Sequence, residues 1–269
     1  MYPKLRLHKW QDVTPVADAW GTPVGDLIPY FKPFWSFIMK SLSSLLVSSV
    51  VVAISSSASA AVVTQWTFNS SNAALTLTPY IGTGTASYVG GTAPNTTGIS
   101  SGWVDDTTAV SPVLNYRWTM TTFPAATAAS GTAGAQFAVS TVGYENVTLS
   151  FGLRNSNTSS KYAQLQYSTN GTDFTNFGEV ITGTGDVWTS VSRDLSSLTT
   201  TDNNSAFAFR VVSVFAPGTS AYAAAKSTST YAVSGTYGFD LVTVNGTAIP
   251  SPGAIALLGF AGLVARRRR

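Results

Sequence analysis

Cysteine is absent from this sequence, and histidine occurs once, at His8. No disulfide can staple the fold, and no cysteine thiolate can serve as a nucleophile or bind zinc. Beyond residue 8 there is also no imidazole, which removes Ser-His-Asp and Cys-His catalysis and histidine-held metals from consideration. Charge is scarce as well, at 10% of residues. The formal net charge of +3 is misleading, because residues 61–265 carry six basic against nine acidic side chains, a net of −3. The basicity lies at the two ends, so nothing basic is left to steer the middle of the chain onto nucleic acid. Long helical periodicity is missing too, and stability must come from an apolar core.

Both ends read as addresses rather than as fold. Met39 and Lys40 open an apolar run that ends in small residues at 55–60, with Ala58 and Ala60 in the small-x-small positions before Ala61. That is the pattern of a secretory signal, a helix cleaved before Ala61. The signal peptide is therefore 39–60. Residues 1–38 precede it, with five prolines, three tryptophans and no periodicity. They are expected to be a misassigned N-terminal extension, with translation starting at Met39. At the other end, Pro250, Ser251, Pro252 and Gly253 interrupt any regular element. An apolar run at 254–265 follows, rich in Ala, Leu and Gly, and then Arg266, Arg267, Arg268 and Arg269. This reads as a transmembrane helix with a basic stop held on the cytoplasmic side. Twelve helical residues span roughly 18 Å, less than the roughly 30 Å of a bilayer core.

Residues 249–269 resemble the PEP-CTERM sorting signal of bacterial exported proteins: a short Pro-Glu-Pro-like motif, an apolar helix and a basic terminus. Ser251 stands where that family has Glu. The resemblance implies processing by an exosortase-like enzyme after passage through the secretion translocon, and a destination at the cell surface or in an extracellular polysaccharide matrix.

Between the ends, residues 61–248 alternate short apolar-polar runs with turns rich in Ser, Thr, Gly and Asn. Strands are predicted at 61–68, 83–89, 135–140, 145–154, 161–169, 187–195, 206–215 and 237–244, with 115–118 a short edge or loop. Val147, Leu149, Phe151 and Leu153 fall on one face, as do Phe207, Phe209 and Val211, and Tyr237, Phe239 and Leu241. Asn170-Gly171 is read as a hairpin turn. Short strands without helices between them need two sheets to cover their apolar faces. The predicted fold is all-β, a two-sheet β-sandwich with first and last strands paired. The order of strands resembles jelly-roll sandwiches of the carbohydrate-binding-module type. The stretch 142–174 is also similar to a region of uncharacterised PEP-CTERM proteins.

Carboxylates are the remaining acid-base candidates. Asp105 and Asp106 are adjacent, diverge in an extended segment, and read as a solvated loop. Asp240 lies inside the last strand, where a charge needs a partner. Jelly-roll binding modules often hold a structural calcium ion on a late-strand Asp; Asp240 with Asn69 is that candidate, and no other cofactor is expected. Trp103 and Trp118, in expected loops, are the candidates for stacking on sugar rings, while Trp188, in a strand, is assigned to the core. These readings combine into an exported, non-enzymatic structural or adhesive surface protein. A carbohydrate-binding module is the alternative, and a carboxylate-dependent glycan hydrolase or lyase the second alternative.

Overall fold

The computed structural model describes residues 59–70, 77–96, 101–107 and 115–250, and the account below concerns these. Eleven strands are present: β1 (Ala60–Trp66), β2 (Thr85–Val89), β3 (Ala93–Pro94), β4 (Trp118–Thr121), β5 (Gly134–Ala138), β6 (Tyr144–Asn155), β7 (Tyr162–Ser168), β8 (Thr175–Thr182), β9 (Val187–Asp194), β10 (Ala208–Val214) and β11 (Tyr237–Ala248). The only helical turn among the described residues is a 3-10 turn at Thr199–Thr201. No helix among them is long and apolar enough to cross a membrane. The expected signal and C-terminal helices, and with them Ala58, Ser251, Pro252, Gly253 and the four arginines, lie outside the described residues. Ala60 and Ala61 are the exposed start of β1.

The strands form two antiparallel sheets, as expected of a β-sandwich. The six-stranded sheet runs β3-β4-β11-β6-β9, with β1 also paired to β11; the five-stranded sheet runs β2-β5-β10-β7-β8. β11 is the spine of the first. Its first half, Tyr237 to Phe239, pairs with β4, and its second half, Val242 to Thr247, pairs with β1. The pairing of first and last strands is as predicted, with Trp66 opposite Val242.

The inner faces follow the period-2 pattern. Val147, Leu149, Phe151 and Leu153 of β6 face Phe209, Val211 and Leu165 across the sandwich, all at most 1% exposed. Trp118 lies among them, 3% exposed, with ring contacts to Phe68, Phe137 and Phe239 at 5.7–6.1 Å. Its indole N–H donates to the Tyr88 hydroxyl at 2.7 Å. Burial of such a ring contributes most where its N–H also finds a partner.

Two expectations are corrected and a third is refined. Trp118 is core rather than an exposed loop residue, because Trp118 and Met120 alternate inward along β4, which 115–121 only half discloses. Leu241 does not continue the inner row. It takes φ +46, the register against β6 slips between Asp240 and Thr243, and Val242 points inward instead. That is a β-bulge, two residues opposing one. Asn170-Gly171 lies in the hairpin connection of antiparallel β7 and β8, as expected, but only Gly171 has positive φ, and Asn170 Oδ1 accepts from the backbone N–H of Thr172 and Asp173 across a longer loop.

Candidate functional site

Two glycines open the outer face of the six-stranded sheet. Gly152 of β6 and Gly238 of β11 project outward, where a side chain would block what lies on top. A Cβ on Gly152 would come within 2.7 Å of the Trp103 ring, and one on Gly238 within 2.9 Å of Arg117. The segments 101–107 and 115–117 thus fold back across this face as a strap.

The strap is fastened at Asp240. This side chain is outward on β11 yet has 0% exposure, because the strap covers it. One carboxylate oxygen accepts from the Trp103 backbone N–H at 2.6 Å and the other from the Leu241 N–H at 2.8 Å. Burial pushes its carboxyl up to about 8, with the charge of Asp106 adding to the rise and the Trp103 N–H opposing it. Asp106 is itself 6% exposed. The expected solvated loop holds for exposed Asp105 only, because Asp106 turns under the strap to meet the Asn69 amide, which donates to it at 2.5 Å. Asn69 Oδ1 accepts from the Tyr116 N–H, and Asn115 Nδ2 donates to the Trp103 carbonyl. Arg117 donates to the Ser101 carbonyl and hydroxyl and to Thr119. Burial, then the charge of Arg154, lowers its guanidinium to about 10.

Asp240 and Asn69, proposed together from the sequence, belong to one cluster, joined through Asp106. No group of three or more His, Cys, Asp or Glu able to hold a metal occurs among the described residues. The cluster nonetheless offers hard oxygen donors, and one of them, the side-chain oxygen of Asn115, is buried without a partner. Asp106 and Asp240 are buried oxygen donors of the kind a calcium ion prefers, and Asn115 is fastened to the same strap through the Trp103 carbonyl. Asp240, Asp106, Asn69 and Asn115 are the residues that would hold it, and the ion would supply charge neutralisation under the strap.

Above the strap's anchor lies the exposed part. Trp103 stacks on Trp188 of β9, ring centroids 6.4 Å apart and planes 26° from parallel, both half-buried over Gly152. Trp188 was assigned to the core from its strand position. In fact it shares its face with Ser190 and Ser192, while Val191 points inward, and that parity was readable in the sequence. Arg154 is the cross-strand neighbour of Trp188 and makes an ion pair with Asp186 at 2.6 Å. Asn157 donates to the other Asp186 oxygen at 2.5 Å, and the backbone N–H of Lys226 donates to the Asn157 carbonyl. Val104, the chain neighbour of Trp103, is 84% exposed. Of the two stacking candidates, Trp103 is therefore at the surface and Trp118 is not. Arg154, Asn157 and Asp186 were not assigned to a site from the sequence, because only the fold gathers them with Trp188.

No family model matches the chain, and no curated protein matches it. Among solved structures it is similar to the CBM22-1 xylan-binding domain from Paenibacillus barcinonensis, at 10% identity and TM-score 0.43, over 72% of this chain and 100% of that one. The K1 cleaved adhesin domain of Lys-gingipain from Porphyromonas gingivalis W83 aligns at 12% identity and TM-score 0.40, over 71% and 99%. A Stig cyclase from Fischerella sp. TAU aligns at 10% and 0.32, over 74% and 94%.

Proposed function

We propose that this chain is an exported, non-catalytic glycan-binding protein of the cell surface or extracellular matrix. The observation that carries the reading is the Trp103–Trp188 pair. It is a flat aromatic surface, half exposed, with the planar polar groups of Arg154, Asp186 and Asn157 beside it. An aromatic face suits the apolar face of a sugar ring, and fixed polar groups at its rim suit the ring hydroxyls. Ser190 and Ser192 continue the same face beyond the rings. The catalytic alternative finds little support. Asp106 and Asp240 are the carboxylates that approach one another, but the strap covers both, and a general acid must reach its substrate.

The ends of the chain extend the proposal. The signal peptide would deliver the domain through the translocon, and the PEP-CTERM-like tail would present it to an exosortase-like enzyme. The intact mass of the protein from its producer tests this: a species running from near Ala61 to near Pro250 is expected, and a membrane-bound species keeping Arg266 to Arg269 would overturn the processing. Glycan binding is tested by titrating the chain against a panel of soluble polysaccharides while following tryptophan fluorescence. Saturable quenching that is lost in Trp188→Ala is expected; no response to any saccharide would overturn the function.

A further inference from the structure

The cations of the domain are not spread evenly over it. Arg210 lies over the Phe174 ring at 4.1 Å and donates to Gln166, so its charge is held within the sheet. Arg193 donates to the carbonyls of Ser192 and Glu179. Lys161 lies over its neighbour Tyr162. Arg154 and Lys226 differ. Lys226 lies against Gly185 in the turn between β8 and β9, and Arg154 pairs with Asp186 of the same turn.

Arg154 spends one Nη on Asp186, and its 20% exposed side chain has no other bond. Its cross-strand neighbour on β9 is Trp188. Lys226 is exposed, with its backbone against Asn157 and Gly185, and it has no carboxylate within ion-pair distance. Of the two, only Arg154 is paired, with the carboxylate of Asp186, itself 44% exposed. Arg117 lies under the same place, near enough to Arg154 for the two charges to repel, with Asp240 offsetting it. At the turn between β8 and β9 the two cations stand against one ion-paired carboxylate, on a domain whose residues 61–265 are net negative. A general negative field repels polyanions, so a local cationic spot beside an aromatic platform selects a ligand that needs both.

We propose that the Trp103–Trp188 surface takes acidic saccharides, a sugar ring resting on the tryptophans and its anionic substituent held by Arg154 and Lys226. This rests on the glycan-binding reading above and names the ligand class for it. A guanidinium with free donors matches a planar carboxylate, and an ammonium adds a mobile point charge. A sulfate ester offers the same negative oxygens, so uronate and sulfate are two sources of one chemistry.

The test measures affinity of the full chain for polygalacturonate, for its fully methyl-esterified neutral counterpart, for dextran sulfate and for poly-glutamate, at low and moderate salt. Polygalacturonate is expected to bind at least tenfold more tightly than the ester, with the preference shrinking as salt rises. Lys226→Gln, a change at an exposed side chain, is expected to reduce the preference by about threefold to tenfold. Arg154→Gln should reduce it further, while Trp188→Ala should weaken acidic and neutral saccharides alike. Tighter binding of dextran sulfate than of polygalacturonate supports the proposal with sulfate as the anion. Equal binding of acid and ester overturns the acidic preference and leaves glycan binding standing. Equal binding of poly-glutamate and polygalacturonate also overturns it, the occupant then being an acidic peptide. Failure to bind any of the saccharides removes both readings.

Discussion

On the outer face of the five-stranded sheet, Ser87, Gln136, Arg210, Gln166 and Asn176 form one transverse row of paired neighbours. The middle of that row is tied together within the sheet: Arg210 donates to Gln166 at 2.5 Å, Gln166 donates to Asn176 at 2.7 Å, and Phe174 covers the guanidinium. The outer face of the six-stranded sheet is built the other way. Its glycines admit a strap, its aromatic pair reaches the surface, and Arg154 keeps donors unspent. Planar polar groups are present on both faces. They form the proposed recognition surface only where they stand beside a half-exposed aromatic pair.

The comparison can be broken or sharpened by experiment. The largest effect is expected inside the sandwich: Trp118→Ala should cost about 3–5 kcal/mol of stability, as large-to-small changes of a buried aromatic do. Chemical denaturation measures this, and a loss near that of Trp188→Ala would return Trp118 to the surface.

The strap's anchor should respond to pH. Asp240 titrates near 8 in the fold against an ordinary 3.8. The folded protein therefore keeps a proton that the unfolded chain has released. That stability is complete below about 4 and is lost as pH rises through 8. In chelator, the melting temperature is expected to fall between pH 5 and pH 8. Calcium should restore it at pH 8, where the carboxylates ionise and can bind the ion, by about 2–3 kcal/mol at a hundredfold excess over its Kd. No calcium response at pH 8 would leave the cluster as a hydrogen-bonded fastening alone.

Gly152→Val comes next. The added side chain meets both tryptophan rings, so glycan affinity should drop more than tenfold, with about 1–3 kcal/mol lost to overpacking. Titration and denaturation on the same variant separate the two. Arg210→Gln on the opposite face should do least: saccharide affinity unchanged, and stability lower by about 1 kcal/mol or less. If Arg210→Gln abolished glycan binding, the two faces would have to exchange roles.

Much of this was legible in advance. The inward rows of β6 and β10, the pairing of β1 with β11, and the discomfort of a charge at Asp240 all follow from alternation and from the cost of burying a carboxylate. Trp188 was also readable, had the serines at 190 and 192 been weighed with it. Asp106 and Trp118 were not. The sequence around them carries few periodic apolar positions, and their burial involves partners distant in the chain, Asn69 for Asp106, and Phe68, Phe137 and Phe239 for Trp118. The bulge at Leu241 escaped for the same reason: its neighbours change there from β4 to β1, and no local signal marks that exchange.

By itself the sequence determined that the domain is a disulfide-free sandwich without imidazole chemistry, because residue types and period-2 alternation are local facts. It also set the expectation of an exported chain, from the order of charged, apolar and small residues at its ends. Only the tertiary structure decided which tryptophans face solvent and which cations keep free donors. Those properties depend on what covers each side chain, and the covering strap is separated from the strands beneath it by up to about 140 residues, as in the 137-residue span from Trp103 to Asp240.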